Sequence, residues 1–105
     1  MIQKVYDGLP FELIEQEEFM QVRKFDPKIQ DEELKWHRDR EDRLIRKIDG
    51  SGWLLQLDNE MPIDMDTKQS HFIPAGVWHR IIKTSRATDL VLQIHLRCNT
   101  GEARL

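Results

Sequence analysis

The chain reads as a small, mainly β domain, a barrel or a sandwich, with a short helix near its N-terminus. Three features point there. From residue 33 onward, short apolar segments recur at regular spacing with turn residues between them. Leu90-Val91-Leu92-Gln93-Ile94-His95-Leu96 alternates cleanly, with Leu90, Leu92, Ile94 and Leu96 on one side and Val91, Gln93 and His95 on the other. Phe72-Ile73-Pro74-Ala75-Gly76 carries an apolar run into a rigid corner, because proline fixes φ and gives up its N–H while glycine tolerates φ > 0.

The elements follow in chain order. Gly8-Leu9-Pro10 is turn-like. Glu12 to Phe25 contains Leu13, Ile14, Phe19, Met20 and Val22, with Glu15, Glu17 and Glu18 early and Arg23 and Lys24 late. That charge order suits a helix dipole and predicts a short helix over 15–24. A strand at Phe19–Phe25 fits the same residues. Asp26-Pro27 ends either one. Glu33-Leu34-Lys35-Trp36-His37 reads as a strand, Arg38 to Asp42 as a charged turn, and Leu44 to Ile48 as a second strand. Asp49-Gly50-Ser51-Gly52 is a turn. Trp53 to Leu57 is a strand, and Asp58 to Met61 with Pro62 is another turn. Ile63 to Lys68 adds a short strand, and Gln69 to Ile73 leads into the corner. Val77-Trp78-His79-Arg80-Ile81-Ile82 is β-branched and aromatic enough for a strand, which sets His79 just past the corner. One domain is expected overall, with residues 1–32 as an arm carrying the helix and residues 33–105 as the barrel.

At 105 residues the chain can bury a modest single core. Hydrophobic residues make up 39% and charged residues 33%, with a net charge of −3, which argues against a broad nucleic-acid footprint. The bases Arg38, Arg40, Arg43, Arg46 and Lys47 are interleaved with acids. No apolar run approaches the roughly 18 residues of a membrane span. Met1-Ile2-Gln3-Lys4-Val5 lacks the apolar core of a signal peptide. A lone cysteine, Cys98, cannot close an internal disulfide and fits a reducing compartment, so a cytoplasmic location is expected.

Pro74-Ala75-Gly76-Val77-Trp78-His79 resembles the second cupin motif, proline–x–glycine–x–x–histidine. His37-Arg38-Asp39, Arg43 and then Gly50 resemble the first motif in spacing. That motif has a second histidine where this chain has Asp39, and a glutamate where it has Arg43. The resemblance implies a cupin-type double-stranded β-helix, a jelly-roll barrel that is often a homodimer and often holds one divalent metal: Fe(II), Zn, Mn or Ni. The two departures bear directly on the usual three-histidine, one-glutamate site.

His37 and Asp39 are two apart, so on a strand they share a side, about 6.6 Å apart along the chain. With His79 they form a set of two imidazoles and one carboxylate. That set suits non-haem Fe(II) and leaves open positions, and Zn²⁺ accepts the same donors. His-x-Asp with a distant histidine also resembles the Fe(II)/2-oxoglutarate oxygenases. The competing reading of Asp39 is a salt bridge to Arg40 or Arg43 within a run of mixed charges. An inward Arg43 opposes a metal by charge unless a carboxylate neutralises it, or it anchors an anionic small molecule bidentately. His95, beside Gln93, is a fourth ligand or general base if that side of its strand faces the cavity, and otherwise a buried structural histidine. His71 is expected at the surface or rim. Of Trp36, Trp53 and Trp78, most are core, and Trp78 can wall a pocket. Two functions follow: a metal-dependent dioxygenase, isomerase or lyase, or a metal-free binding or structural module.

Overall fold

The computed structural model of the protein describes residues 10–98. It contains β1 (Glu12–Glu17), β2 (Met20–Phe25), β3 (Glu41–Asp49), β4 (Trp53–Leu57), β5 (Ile63–Asp64), β6 (Ser70–Ile73), β7 (His79–Lys83) and β8 (Leu90–Cys98). One turn of 3-10 helix spans Asp31–Glu33. The strands form two antiparallel sheets, one in the order β1-β2-β8-β3-β6 and one in the order β5-β4-β7. Alternation along each strand buries one side: Ile45 from β3, Leu92 and Ile94 from β8, and Trp53 and Leu55 from β4 meet in one core. The result is the mainly β double-stranded β-helix that the motifs imply. No helix among the described residues is long and apolar enough to cross a membrane.

The N-terminal helix over 15–24 is not formed. That stretch is a hairpin, with Glu17 paired to Met20 across a turn at Glu18 and Phe19. β2 then pairs along its full length with β8, from Met20–His95 to Phe25–Leu90. A helix-dipole preference is worth only about 0.3–1 kcal/mol at the surface. Docking β2 buries Phe25 to 6% exposure, a larger gain that comes from a strand some 70 positions away in sequence. The acidic β1 is left as an exposed edge strand, where charge discourages further pairing.

The predicted strand at Glu33–His37 also gives way. Its start lies in the 3-10 turn, and its end touches β7 only through the His37–His79 pair. The charged turn is shorter than expected, because β3 already begins at Glu41. The predicted turn at Gly8-Leu9-Pro10 begins outside the described residues. The turn at Asp49–Gly52 is present, and Gly52 is required there: its φ is +84°, and a Cβ would lie 2.7 Å from the Ala87 Cα.

Trp53 is the core tryptophan, at 1% exposure, and its indole N–H donates to the Thr88 carbonyl at 2.7 Å. Trp36 and Trp78 instead lie at the surface, under the guanidinium groups of Arg80 and Arg38 at 4.7 and 5.0 Å from the ring centroids. His71, expected at the surface or rim, is buried. β6 turns its Phe72 outward and so turns His71 and Ile73 inward, and His71 Nε2 donates to the Met65 carbonyl at 3.2 Å.

Candidate functional site

The site forms where the segment before β3 crosses the start of β7. Two backbone hydrogen bonds lock the crossing: His37 N–H to the His79 carbonyl at 3.0 Å, and His79 N–H to the His37 carbonyl at 2.8 Å. The proline–glycine corner is tied to the same segment. Gly76 N–H donates to the Asp39 carbonyl, and Ala75 N–H to Asp42 Oδ1, each at 2.8 Å. Both histidines and Asp39 are thereby held by backbone geometry, independent of any ligand.

The imidazole centroids lie 4.2 Å apart, with the rings inclined at 62°. Each Nδ1 faces a carbonyl: His37 meets Lys35 O at 3.1 Å and His79 meets Val77 O at 2.8 Å. A carbonyl can only accept, so each Nδ1 carries the hydrogen, and in the neutral ring the lone pair sits on Nε2. This is the tautomer a metal-ligating histidine uses when its other nitrogen is held by a carbonyl.

Asp39 divides its two oxygens. Oδ1 pairs with Arg43 Nη2 at 3.0 Å, and Oδ2 lies 3.3 Å from His79 Nε2. Both the ligand reading and the salt-bridge reading of Asp39 therefore describe part of the same carboxylate. Oδ2 is buried against His79 Nε2, which has no hydrogen to give it in the Nδ1–H tautomer and donates to it when that nitrogen also carries a proton. In the Nδ1–H tautomer a carboxylate lone pair and an imidazole lone pair face each other out of water. Either a proton or a cation between them removes the repulsion. Ligand atoms of His37, Asp39 and His79 all lie within 4.8 Å of one another. Donors sharing one ion at about 2.0–2.2 Å stand at most about 4.4 Å apart, so small side-chain rotations complete a site. The cluster could hold a metal ion.

Arg43 points inward, at the position where the cupin motif it resembles has a glutamate. Its Nη2 also meets Glu41 Oε1 at 3.2 Å, so two carboxylates offset its charge. Burial works to raise the pKa of Asp39, but a hydrogen bond from His79 Nε2, present when that nitrogen carries a proton, and the charge of Arg43 outweigh it and hold the carboxyl below its usual range. His37 sits at the rim, exposed on one side and against the His79 ring on the other. Partial desolvation pushes its pKa below the ordinary histidine value despite the hydrogen bond to Lys35.

A cavity of about 320 Å³ runs from this cluster into the barrel. His37, Asp39, Arg43 and His79 line it together with Arg23 and apolar side chains from both sheets. The other three sequence candidates do not line it. Trp78 is 43% exposed on the outside, because β7 begins with His79 turned inward. His95 and Gln93 lie on the outer side of β8 and hydrogen-bond to each other at 3.0 Å. Leu92 and Ile94 take the inner side, so His95 is neither a residue of the barrel cavity nor a buried structural one; it lines a separate outer pocket with Leu44 and Phe72. Arg23 and Phe11 are cavity residues that the sequence reading did not assign. The signal for Arg23 was its place two before Phe25, on the same side of any strand over 20–25.

No protein-family model and no curated protein matches the chain. Solved structures do. A cupin domain from Bordetella pertussis Tohama I superposes with a TM-score of 0.55 at 21% identity, covering 83% of this chain and 91% of that one. A cupin-2 domain containing protein from Shewanella frigidimarina NCIMB 400 gives 0.53 at 15% identity, covering 83% and 79%. A structure of DMSP lyases gives 0.57 at 20% identity and covers 78% of this chain, which spans 40% of that chain's length. An antiparallel barrel with a histidine–carboxylate cluster at its mouth is the class that fold and site define. More particularly, the chain has the small cupin fold.

Proposed function

We propose that the protein binds one divalent metal through His37, Asp39 and His79 and holds a small anionic molecule beside it in the barrel. The observation that carries this reading is the convergence of His37, Asp39 and His79 ligand atoms to within 4.8 Å of one another, with buried Asp39 Oδ2 3.3 Å from His79 Nε2. Two nitrogens and a carboxylate suit Fe(II), and Zn²⁺ takes the same donors. When bound, the metal supplies Lewis-acid polarisation or an O₂ site, the chemistry a dioxygenase, isomerase or lyase would draw on. The chain supplies the rest. Lys35 and Val77 carbonyls orient the two rings, and Arg43 pairs with the second oxygen of Asp39. The expected homodimer would use the outer face of the larger sheet, where Leu44 and Phe72 are exposed.

Elemental analysis of protein purified without chelator tests the proposal. About one first-row metal per chain is expected in the wild type and none in His79→Ala. No metal under any loading condition would leave the metal-free binding module. The specific support for that module is Arg43, which neutralises Asp39 without an ion.

A further inference from the structure

Arg23 takes no part in the cluster above, yet it faces the same cavity. β2 turns it inward beside buried Phe25. Its guanidinium carbon stands 4.1 Å from the Phe11 ring centroid, and its Nε–H donates to Gln21 Oε1 at 2.8 Å. Among the described residues no carboxylate lies within 4.0 Å of it, whereas Arg43 has two. The Nη edge, with four N–H groups, has no protein acceptor among the described residues. Phe11 offers a ring face but no counter-charge. Desolvation, with the like charge of Arg43 adding to it, outweighs the carboxylates of Asp39 and Glu41, which stand beyond ion-pair distance, and lowers the Arg23 pKa to about 10.

The surroundings narrow what that partner is. Phe11 and Leu92 stand beside Arg23, and most of the remaining wall is apolar, with Glu33 and Lys35 also lining the cavity. A volume of 320 Å³ equals about ten waters at about 30 Å³ each, enough for a small organic molecule. A planar fork with four free donors matches a carboxylate bidentately. Largely apolar walls beyond the fork suit a carboxylate with an organic body better than a compact, strongly hydrated phosphate dianion.

We infer that Arg23 anchors the carboxylate of a small monocarboxylate whose apolar body lies in the barrel cavity, with its far end toward His37, Asp39 and His79. The inference rests on the anionic-ligand half of the proposed function and is independent of the metal, and its test separates the two. Hexanoate and hexan-1-ol are titrated by calorimetry into chelator-treated and Zn²⁺-loaded protein, wild type and Arg23→Gln. Hexanoate is expected to bind the wild type in both states and to bind Arg23→Gln at least tenfold more weakly. Hexan-1-ol and Zn²⁺ affinities are expected to change less than twofold. Arg23→Lys, a point charge without the fork, is expected to fall between. In wild-type protein the Arg23 Nε–H resonance is expected to shift on hexanoate addition, a readout that needs no variant to fold.

Three results would overturn the inference. Hexanoate could bind neither state of the wild type, or bind Arg23→Gln within twofold of it, or bind without moving that resonance. Hexanoate binding that needs Arg23 in a protein that takes no Zn²⁺ would uphold the inference and remove the metal reading instead.

Discussion

The two ends of the β4–β7 ladder are built differently. At one end Trp53 pairs with Lys83, and at the other Leu57 pairs with His79. The Trp53 end is closed: the indole is 1% exposed, its N–H is satisfied by Thr88, and Gly52 fits against Ala87. The His79 end buries a histidine to 4% exposure, and beside it Asp39 Oδ2 and Arg43 Nε are buried without hydrogen-bond partners. One further such atom among the described residues, His71 Nδ1, lies under β6. The same strands serve both purposes. β3 contributes Ile45 to the core and Arg43 to the cavity two residues earlier. Stability is concentrated where every polar group is paired, and binding capacity where some are not.

Four experiments break or sharpen that contrast. The largest effect is expected from Trp53→Ala, which removes a fully buried ring and should cost about 3–5 kcal/mol in urea unfolding. The loss should be the same with and without added Zn²⁺. Next, Zn²⁺ at one hundred times its Kd should raise wild-type stability by about 2.7 kcal/mol, and by nothing in His37→Ala. Zn²⁺ stabilisation that survives in that variant would detach the metal from the His79 end.

Arg43→Gln should act in two opposed ways. Without metal it leaves Asp39 short of its ion-pair partner and should cost about 1–3 kcal/mol, since both groups are largely shielded from water. With Arg43 gone, a positive charge no longer opposes the ion, and Zn²⁺ should bind roughly tenfold tighter. A calorimetric titration of the variant that shows weaker Zn²⁺ binding would make Arg43 a supporting part of the site.

The smallest effect is the response to pH in chelated protein. The folded-state pKa of His37 lies below its unfolded value near 6.5. The unfolded chain therefore takes up a proton first on acidification. The ring's contribution is full above that value and is lost as pH falls through it toward the lowered folded pKa. Asp39 acts in a lower window. Its contribution is present above the ordinary value of 3.8 and disappears as pH drops through the depressed folded one. Urea midpoints should thus decline from pH 7 to pH 5, and His37→Ala should flatten that upper step.

Much of this was legible in the sequence, for local reasons. Pro74 and Gly76 dictate a corner whatever surrounds them, so the position of His79 follows from chemistry within six residues. The i, i+2 spacing puts His37 and Asp39 on one side even though their segment makes only a single bridge to β7. What was not legible depends on distant partners. Glu12 to Phe25 carries a charge order compatible with a helix, and only the offered edge of β8 makes it a hairpin. Whether β8 shows Leu92 or Gln93 to the cavity follows from which sheet covers it, and that choice moved His95 outside. Arg23 is ambiguous for the same reason: on a helix over 15–24 it has no inward side shared with Phe25, and on a strand at Phe19–Phe25 it does.

The most direct test is anomalous scattering from crystals grown with one equivalent of Zn²⁺. The account predicts a single strong peak about 2.0–2.2 Å from Nε2 of His37, Nε2 of His79 and a carboxylate oxygen of Asp39. A peak elsewhere, or none with His79 Nε2 and Asp39 Oδ2 bonded directly through a proton, would contradict it.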